Sequence, residues 1–285
     1  MTTAISRKDD HTIELTLTIP WPTIKNAYED IVNRALETVE VPGFRKGKAP
    51  RNIAEEKLDT SKIYEEVVKK VIPEAYNEAI TKEKIRPIVN PQIELQDAKE
   101  GKDWVVKLIT CERPIIALGE YKKAIQDVKE SVEKKIWTPG EEVKDDKKDE
   151  KQKVTLDMIL KALYEQIHIS LPAILLQQEV NRLLSELIDQ TKKLGLTVEQ
   201  YLASTQRNAE SIKTEYEEQA KRTLSLEFAL EEIADKEGIF VSDDDIETVL
   251  KTAKNDEERK ALEKDKYYLS SILRRQKTLD FLSAL

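Results

Sequence analysis

The chain has 285 residues, enough for about two domains of ordinary size. Charged residues make up 36%, apolar residues 39%, and there are only seven glycines, which describes a helix-rich folded protein with a heavily solvated surface and speaks against disorder throughout. A formal net charge of −8 argues against a general nucleic-acid coat, and one cysteine with two histidines rules out an intramolecular disulfide, a redox pair or a Cys/His zinc site. The charge is uneven. Residues 1–113 carry 19 Lys and Arg against 20 Asp and Glu, and residues 114–285 carry 28 against 35, so any contact with RNA must be local and salt-sensitive.

The N-terminal residues lack the continuous apolar run of a secretory signal, and no run approaches the roughly 18 apolar residues of a membrane span, so the expectation is a cytoplasmic protein without a membrane partner. Residues 11–19 alternate Ile13, Leu15, Leu17 and Ile19 with Thr12, Glu14, Thr16 and Thr18, the period-two pattern of a half-buried strand. After a turn at Pro20-Trp21-Pro22, apolar residues from Ile24 to Val39 follow three-and-four spacing and predict a helix from Thr23. That helix runs into an exposed loop bounded by Pro42 and Pro50. There Arg45, Lys46, Lys48 and Arg51 stand with Phe44 and two glycines, and no acid occurs among residues 41–51. Such a loop suits phosphate-rich or acidic surfaces: Arg makes forked contacts, Lys acts as a point charge, and Phe44 provides a ring for stacking or insertion.

A short helix to about Leu58 follows, then a longer one that Ser61 is placed to cap, with Pro73 expected to kink it. Two strands are predicted over residues 88–95 and 103–112, turning at Gly101, and Cys111 reads as a small buried strand residue. Strand, helices and a strand pair make an α+β arrangement, a small antiparallel sheet with helices on one face.

The loop Gly43-Phe44-Arg45-Lys46-Gly47-Lys48-Ala49-Pro50 resembles the ribosome-docking signature of bacterial trigger factors, Gly-Phe-Arg-any-Gly-Lys-any-Pro, at every fixed position. A nucleotide-binding loop would need four residues between its glycines and a Ser or Thr after the lysine. Here there are three residues, and Ala49 follows. Residues 1–113 are similar to that family's ribosome-binding domain as a whole, and residues 113–121 to its exit from that domain.

Typical members insert an FKBP-like prolyl-isomerase domain next. Only about 40 residues separate Arg113 from the next long helical pattern, too few for such a core, and residues 141–153 contain eleven charged residues among thirteen. Residues 114–153 therefore read as a short helix, near 120–136, and a charged linker in place of the isomerase domain, and no isomerase activity is expected. Residues 154–285 read as all-helical: 154–169, a long helix opened by Pro172 and ended at Gly195, then 198–204, 208–236, 242–253 with a cap-like Ser242/Asp245 pair, and 256–282. Residues 167–180 resemble the start of the trigger-factor C-terminal domain, an all-helical body that encloses unfolded chains.

No residue constellation suggests an enzyme, a cofactor or a metal. His168 falls in an apolar helical stretch and reads as a structural histidine, His11 sits at a strand start, and Asp243, Asp244 and Asp245 read as a favourable helix N-terminus. The resemblance implies an ATP-independent chaperone with Gly43, Phe44, Arg45, Lys46, Gly47 and Lys48 as its ribosome-binding site. Its implied partners are rRNA, the large-subunit protein beside the exit tunnel and unfolded nascent polypeptides, with a weak homodimer off the ribosome. The alternatives are a ribosome-independent holdase or assembly chaperone and, disfavoured by the acidic remainder, an RNA-binding regulator.

Overall fold

The structure is a computed structural model that describes residues 2–135, 154–251, 259 and 262–285. The chain divides into two compact units, one of residues 1–113 with 172–175 and the other of residues 114–171 with 176–285.

The first unit contains β1 (Thr2–Arg7), β2 (Thr12–Ile19), α1 (Trp21–Thr38), α2 (Arg51–Glu55), α3 (Thr60–Lys82), β3 (Gln92–Asp97) and β4 (Trp104–Cys111). The strands form one antiparallel sheet in the order β1-β2-β4-β3. Its register places Leu15 opposite Leu108, Leu17 opposite Val106 and Ile19 opposite Trp104. These side chains therefore share one face, as period-two alternation requires. That face joins Ile24 and Ala27 of α1 and Val67, Val71, Ile72, Ala75, Tyr76 and Ala79 of α3 in one buried cluster. Tyr28, Tyr64 and Trp104 form an aromatic chain at its side, with ring centroids 5.1 and 6.1 Å apart. On the opposite face Glu14 bridges Lys8 and Lys107 at 2.6 and 3.0 Å.

Four local expectations change. Strand β1 was not foreseen: Thr2–Arg7 is largely exposed and carries one large apolar side chain, Ile5, aligned with Leu15. Its strand character comes from pairing with β2 rather than from a pattern of its own. Helix α1 starts at Trp21, with Pro22 in its first turn, where a missing N–H costs nothing. Its cap comes from afar: the Trp21 N–H donates to Asp103 Oδ1 at 2.8 Å, across 82 residues. Helix α3 is capped by Asp59, whose carboxylate accepts from the Ser61 and Lys62 N–H groups, while Ser61 lies inside the helix. Strand β3 begins after Pro91 instead of at residue 88, because Pro87 and Pro91 cannot donate to a ladder. Pro73 lies inside α3, and the helix continues on both sides of it.

The second unit contains β5 (Ile116–Ala117), α4 (Tyr121–Lys135), α5 (Leu156–Gln166), β6 (His168–Ile169), all but the first three residues of α6 (Ala173–Lys193), α7 (Val198–Ser204), α8 (Ala209–Lys236), α9 (Asp243–Leu250) and α10 (Lys266–Ala284). Leu118, Tyr121 and Ile125 pack with Ile159 and Leu163 of α5, Ala229, Leu230 and Ile233 of α8, and Leu282 of α10. Leu118, Tyr121 and Ile125 thus belong to the helical unit's core, although the sequence groups their segment with a connection. A smaller cluster joins Val180 and Leu183 of α6 to Ala220 of α8. The expected 154–169 helix ends at Gln166, because His168 and Ile169 pair with Ala117 and Ile116. The Ser242/Asp245 pair does form a capping box, and Thr197/Gln200 and Asn208/Ser211 form two more. The charged stretch 141–153 and residues 252–258 lie outside the described residues.

Candidate functional site

The loop after α1 is built from two turns in series. In the first, the Phe44 N–H donates to the Val41 carbonyl at 3.0 Å, with Pro42 and Gly43 between them and Gly43 at φ +89°, the features of a type II turn. In the second, the Lys48 N–H donates to the Arg45 carbonyl at 2.9 Å, with Gly47 at φ +67° in the corresponding place. A third bond, from the Gly47 N–H to the Val39 carbonyl at 3.3 Å, ties the tip back to the chain leaving α1.

The two glycines serve different ends. A Cβ on Gly43 would meet nothing within 4 Å, so that position needs glycine only for its left-handed backbone. A Cβ on Gly47 would come within 2.5 Å of the Glu37 carbonyl oxygen, so glycine there also permits the loop to fold onto the last turn of α1. Beneath the loop, Val41 is buried and anchors the first turn.

This backbone displays the side chains outward. Phe44 keeps 44% of its surface accessible, and Arg45, Lys46 and Lys48 are exposed. The sequence-predicted residues 43–48 are therefore brought together on one short stretch, with a ring flanked by cations. The cations are not equivalent. Lys46 Nζ lies 3.8 Å from Glu40 Oε1, and Arg51 Nε lies 2.5 Å from Glu55 Oε1, one helical turn on. Among the described residues Arg45 and Lys48 form no ion pair. Both acidic partners, Glu40 and Glu55, lie just outside the acid-free stretch 41–51. The Arg51/Glu55 spacing of four was the available signal.

Hollows also open among the described residues of this unit. One of about 110 Å³ is lined by Tyr28, Val32, Arg51, Glu55, Leu58 and Ile63, among others, and is well below the 300–1,000 Å³ usual for small-molecule sites. Another, about 610 Å³ and wide open, is walled by Tyr64, Val68, Leu95, Ala98 and Trp104, with Ser61, Glu65 and Lys69 completing its lining. Its character is apolar, and Leu95 stands half exposed there.

The remaining candidates lie away from the loop. Cys111 is fully buried in β4, and burial, with a smaller contribution from Asp10, pushes its thiol up to about 11. His168 is exposed and lies in β6, its Nδ1 3.1 Å from the Gln166 carbonyl oxygen, so it is not the helical histidine expected. His11 sits in the β1–β2 turn at φ +65°. Asp245 is held down to about 2 by the Lys277 ammonium and by hydrogen bonds from Ser242. Among the described residues no group of three or more His, Cys, Asp and Glu side chains is placed to hold a metal ion, and no helix is long and apolar enough to cross a membrane.

Comparison with known proteins bears on the family of the chain. Residues 1–147 match the family model for the bacterial trigger factor protein, and residues 124–284 match the model for the trigger factor C-terminus. The trigger factor of Staphylococcus epidermidis is 33% identical over 122 residues, which is 43% of this chain and 28% of that protein. That of Lactiplantibacillus plantarum is 36% identical over 117 residues, 41% of this chain and 27% of its own length. The matched part thus spans little more than a quarter of these relatives. A solved structure of the trigger factor chaperone, described for promiscuous substrate recognition in folding and assembly, superposes with a TM-score of 0.64 at 15% identity, covering 100% of this chain and 99% of that one. With an α+β unit, a helical unit and two family models that together span nearly the whole sequence, the chain belongs to the bacterial trigger factor family.

Proposed function

We propose that this protein is an ATP-independent chaperone that docks at the ribosomal exit tunnel and shields apolar segments of nascent polypeptides in the cytoplasm. The observation that carries this reading is the displayed loop: two backbone-closed turns hold Phe44, Arg45, Lys46 and Lys48 outward on an otherwise acidic chain. Gly43 and Gly47 shape the loop, Arg45, Lys46 and Lys48 meet rRNA phosphates, and Phe44 inserts against rRNA or the large-subunit protein beside the tunnel.

Client binding is the second half of the proposal. Apolar side chains stand exposed across the helical unit, including Leu194, Leu196, Phe240, Tyr267, Tyr268 and Ile272. Dispersed apolar contacts set among charges bind weakly and broadly, and a client leaves as it buries its own apolar surface. No prolyl-isomerase activity accompanies this function. The two family matches overlap at residues 124–147, which leaves no interval between them for an inserted domain. A proline-containing peptide should isomerise at its background rate in the presence of the protein.

Co-sedimentation with vacant 70S ribosomes tests the docking. Wild type should bind saturably, and the variant Phe44→Ala/Arg45→Ala/Lys46→Ala should lose binding; equal binding by the two would overturn the assignment. The exposed apolar residues of the helical unit do not depend on the loop, and they favour one second reading, a ribosome-independent holdase. That reading would be upheld if neither protein bound ribosomes while both suppressed aggregation of an unfolded client equally.

A further inference from the structure

The helices flanking the loop break the usual rule for charge at helix ends. Helix α1 has no basic residue in its last turn and carries Glu37 there, with Glu40 just beyond it, where the helix dipole favours cations. Helix α2 has no acid in its first turn and opens on Arg51, where the dipole favours anions. Charges placed against local helix stability call for a reason elsewhere. At α1 the geometry supplies one, because Glu40 faces Lys46 across the loop at 3.8 Å; at α2, Arg51 pairs with Glu55 within the helix, at a spacing of four.

We infer that Glu40 and Glu55 are affinity-setting residues, carboxylates that compete with phosphate for two of the loop's four cations. This rests on the ribosome-docking reading of the loop. Arg45 and Lys48 make the first phosphate contacts, since neither forms an ion pair among the described residues. Lys46 and Arg51 join only by exchanging a carboxylate for a phosphate. Both pairs are exposed, with 58% of the Lys46 side chain and 80% of the Glu40 side chain accessible, so the exchange is open to a ligand arriving from solvent. Exposed pairs are worth little, and each carboxylate should therefore moderate binding rather than abolish it. The partner chemistry this selects is a dense array of backbone phosphates, which can displace two carboxylates at once. An isolated anion cannot.

The experiment is ribosome co-sedimentation across a salt series with wild type, Glu40→Gln, Glu55→Gln, the double variant and Glu78→Gln as a control. Glu78 is exposed on α3, ~27 Å along the helix from Thr60 at 1.5 Å per residue, and its replacement changes net charge equally. Each of the two loop variants should bind about twofold to fivefold more tightly at low salt, and the gain should shrink as salt rises. The slope of log affinity against log salt should steepen by about 0.7 per released cation, which a merely structural role for these acids would not produce. Affinities and slopes equal to those of Glu78→Gln, with wild type binding normally, overturn the inference alone. Failure of wild type to bind, or retention of binding by the Phe44/Arg45/Lys46 alanine variant, overturns the docking reading on which it stands.

Discussion

The two units bury apolar surface in different ways. In the first, strands β2 and β4 and helices α1 and α3 contribute to one continuous cluster whose members are fixed by strand register. In the second, apolar residues divide between a cluster of α4, α5, α8 and α10 and a smaller one of α6 and α8. The second unit also leaves more large apolar side chains in solvent, up to Tyr267 at 91% exposure. A sheet with one covered face ties each buried side chain to several elements at once. Helices packed side by side can divide their contacts between separate clusters and leave other faces free. The first arrangement suits a platform that must hold a loop in one shape, and the second a surface that adapts.

The largest effect that bears on this contrast is core truncation. Leu108→Ala, in the continuous cluster, should destabilise the first unit by about 3–5 kcal/mol, whereas Leu183→Ala, in the small cluster, should cost about 2–3 kcal/mol. Urea unfolding followed by tryptophan fluorescence and by helical circular dichroism measures both, and equal costs would remove the distinction. Next come the loop glycines. Gly43→Ala should cost about 1 kcal/mol for its left-handed backbone, and Gly47→Ala more, about 2–3 kcal/mol, because its Cβ also meets the Glu37 carbonyl. Hydrogen exchange at the Lys48 amide should accelerate more in the second variant; the reverse order would show that the fold-back onto α1 is unimportant.

Helix caps sharpen the picture at smaller magnitude. Asp59→Ala should cost about 1 kcal/mol and Ser61→Ala less than about 0.5 kcal/mol, measured by thermal unfolding. The smallest effect is acid sensitivity at Asp245 in the helical unit. Its folded pKa, about 2, lies below the ordinary carboxylate value of 3.8, so its contribution is complete above pH 4 and is lost as pH falls toward 2. Asp245→Asn should flatten the helical signal's dependence on pH in that window, least visibly at high salt because the pair is exposed.

Much of this was legible in the sequence where a pattern is local. The Ile13-Leu15-Leu17-Ile19 alternation marked β2, and the Pro42, Gly43, Gly47 and Pro50 punctuation marked the loop. The Ser242/Asp245 spacing marked a cap that forms as read. What escaped is what depends on a distant partner. Strand β1 exists because β2 offers it an edge, β5 and β6 pair across some fifty residues, and the α1 cap comes from Asp103. At α3 the competition was local but ambiguous, since both Asp59 and Ser61 are good caps and only backbone geometry chooses between them. At the loop, the cationic residues were plain, and the acids bound to them lay just outside the segment that drew attention.

Cys111 carries a last consequence. It is the sole thiol of the sequence, it is fully buried between strands, and its pKa near 11 leaves almost none of it as thiolate at neutral pH. In the folded state thiol–disulfide exchange at Cys111 is therefore disfavoured, and a mixed disulfide with another chain would require the end of β4 to open first.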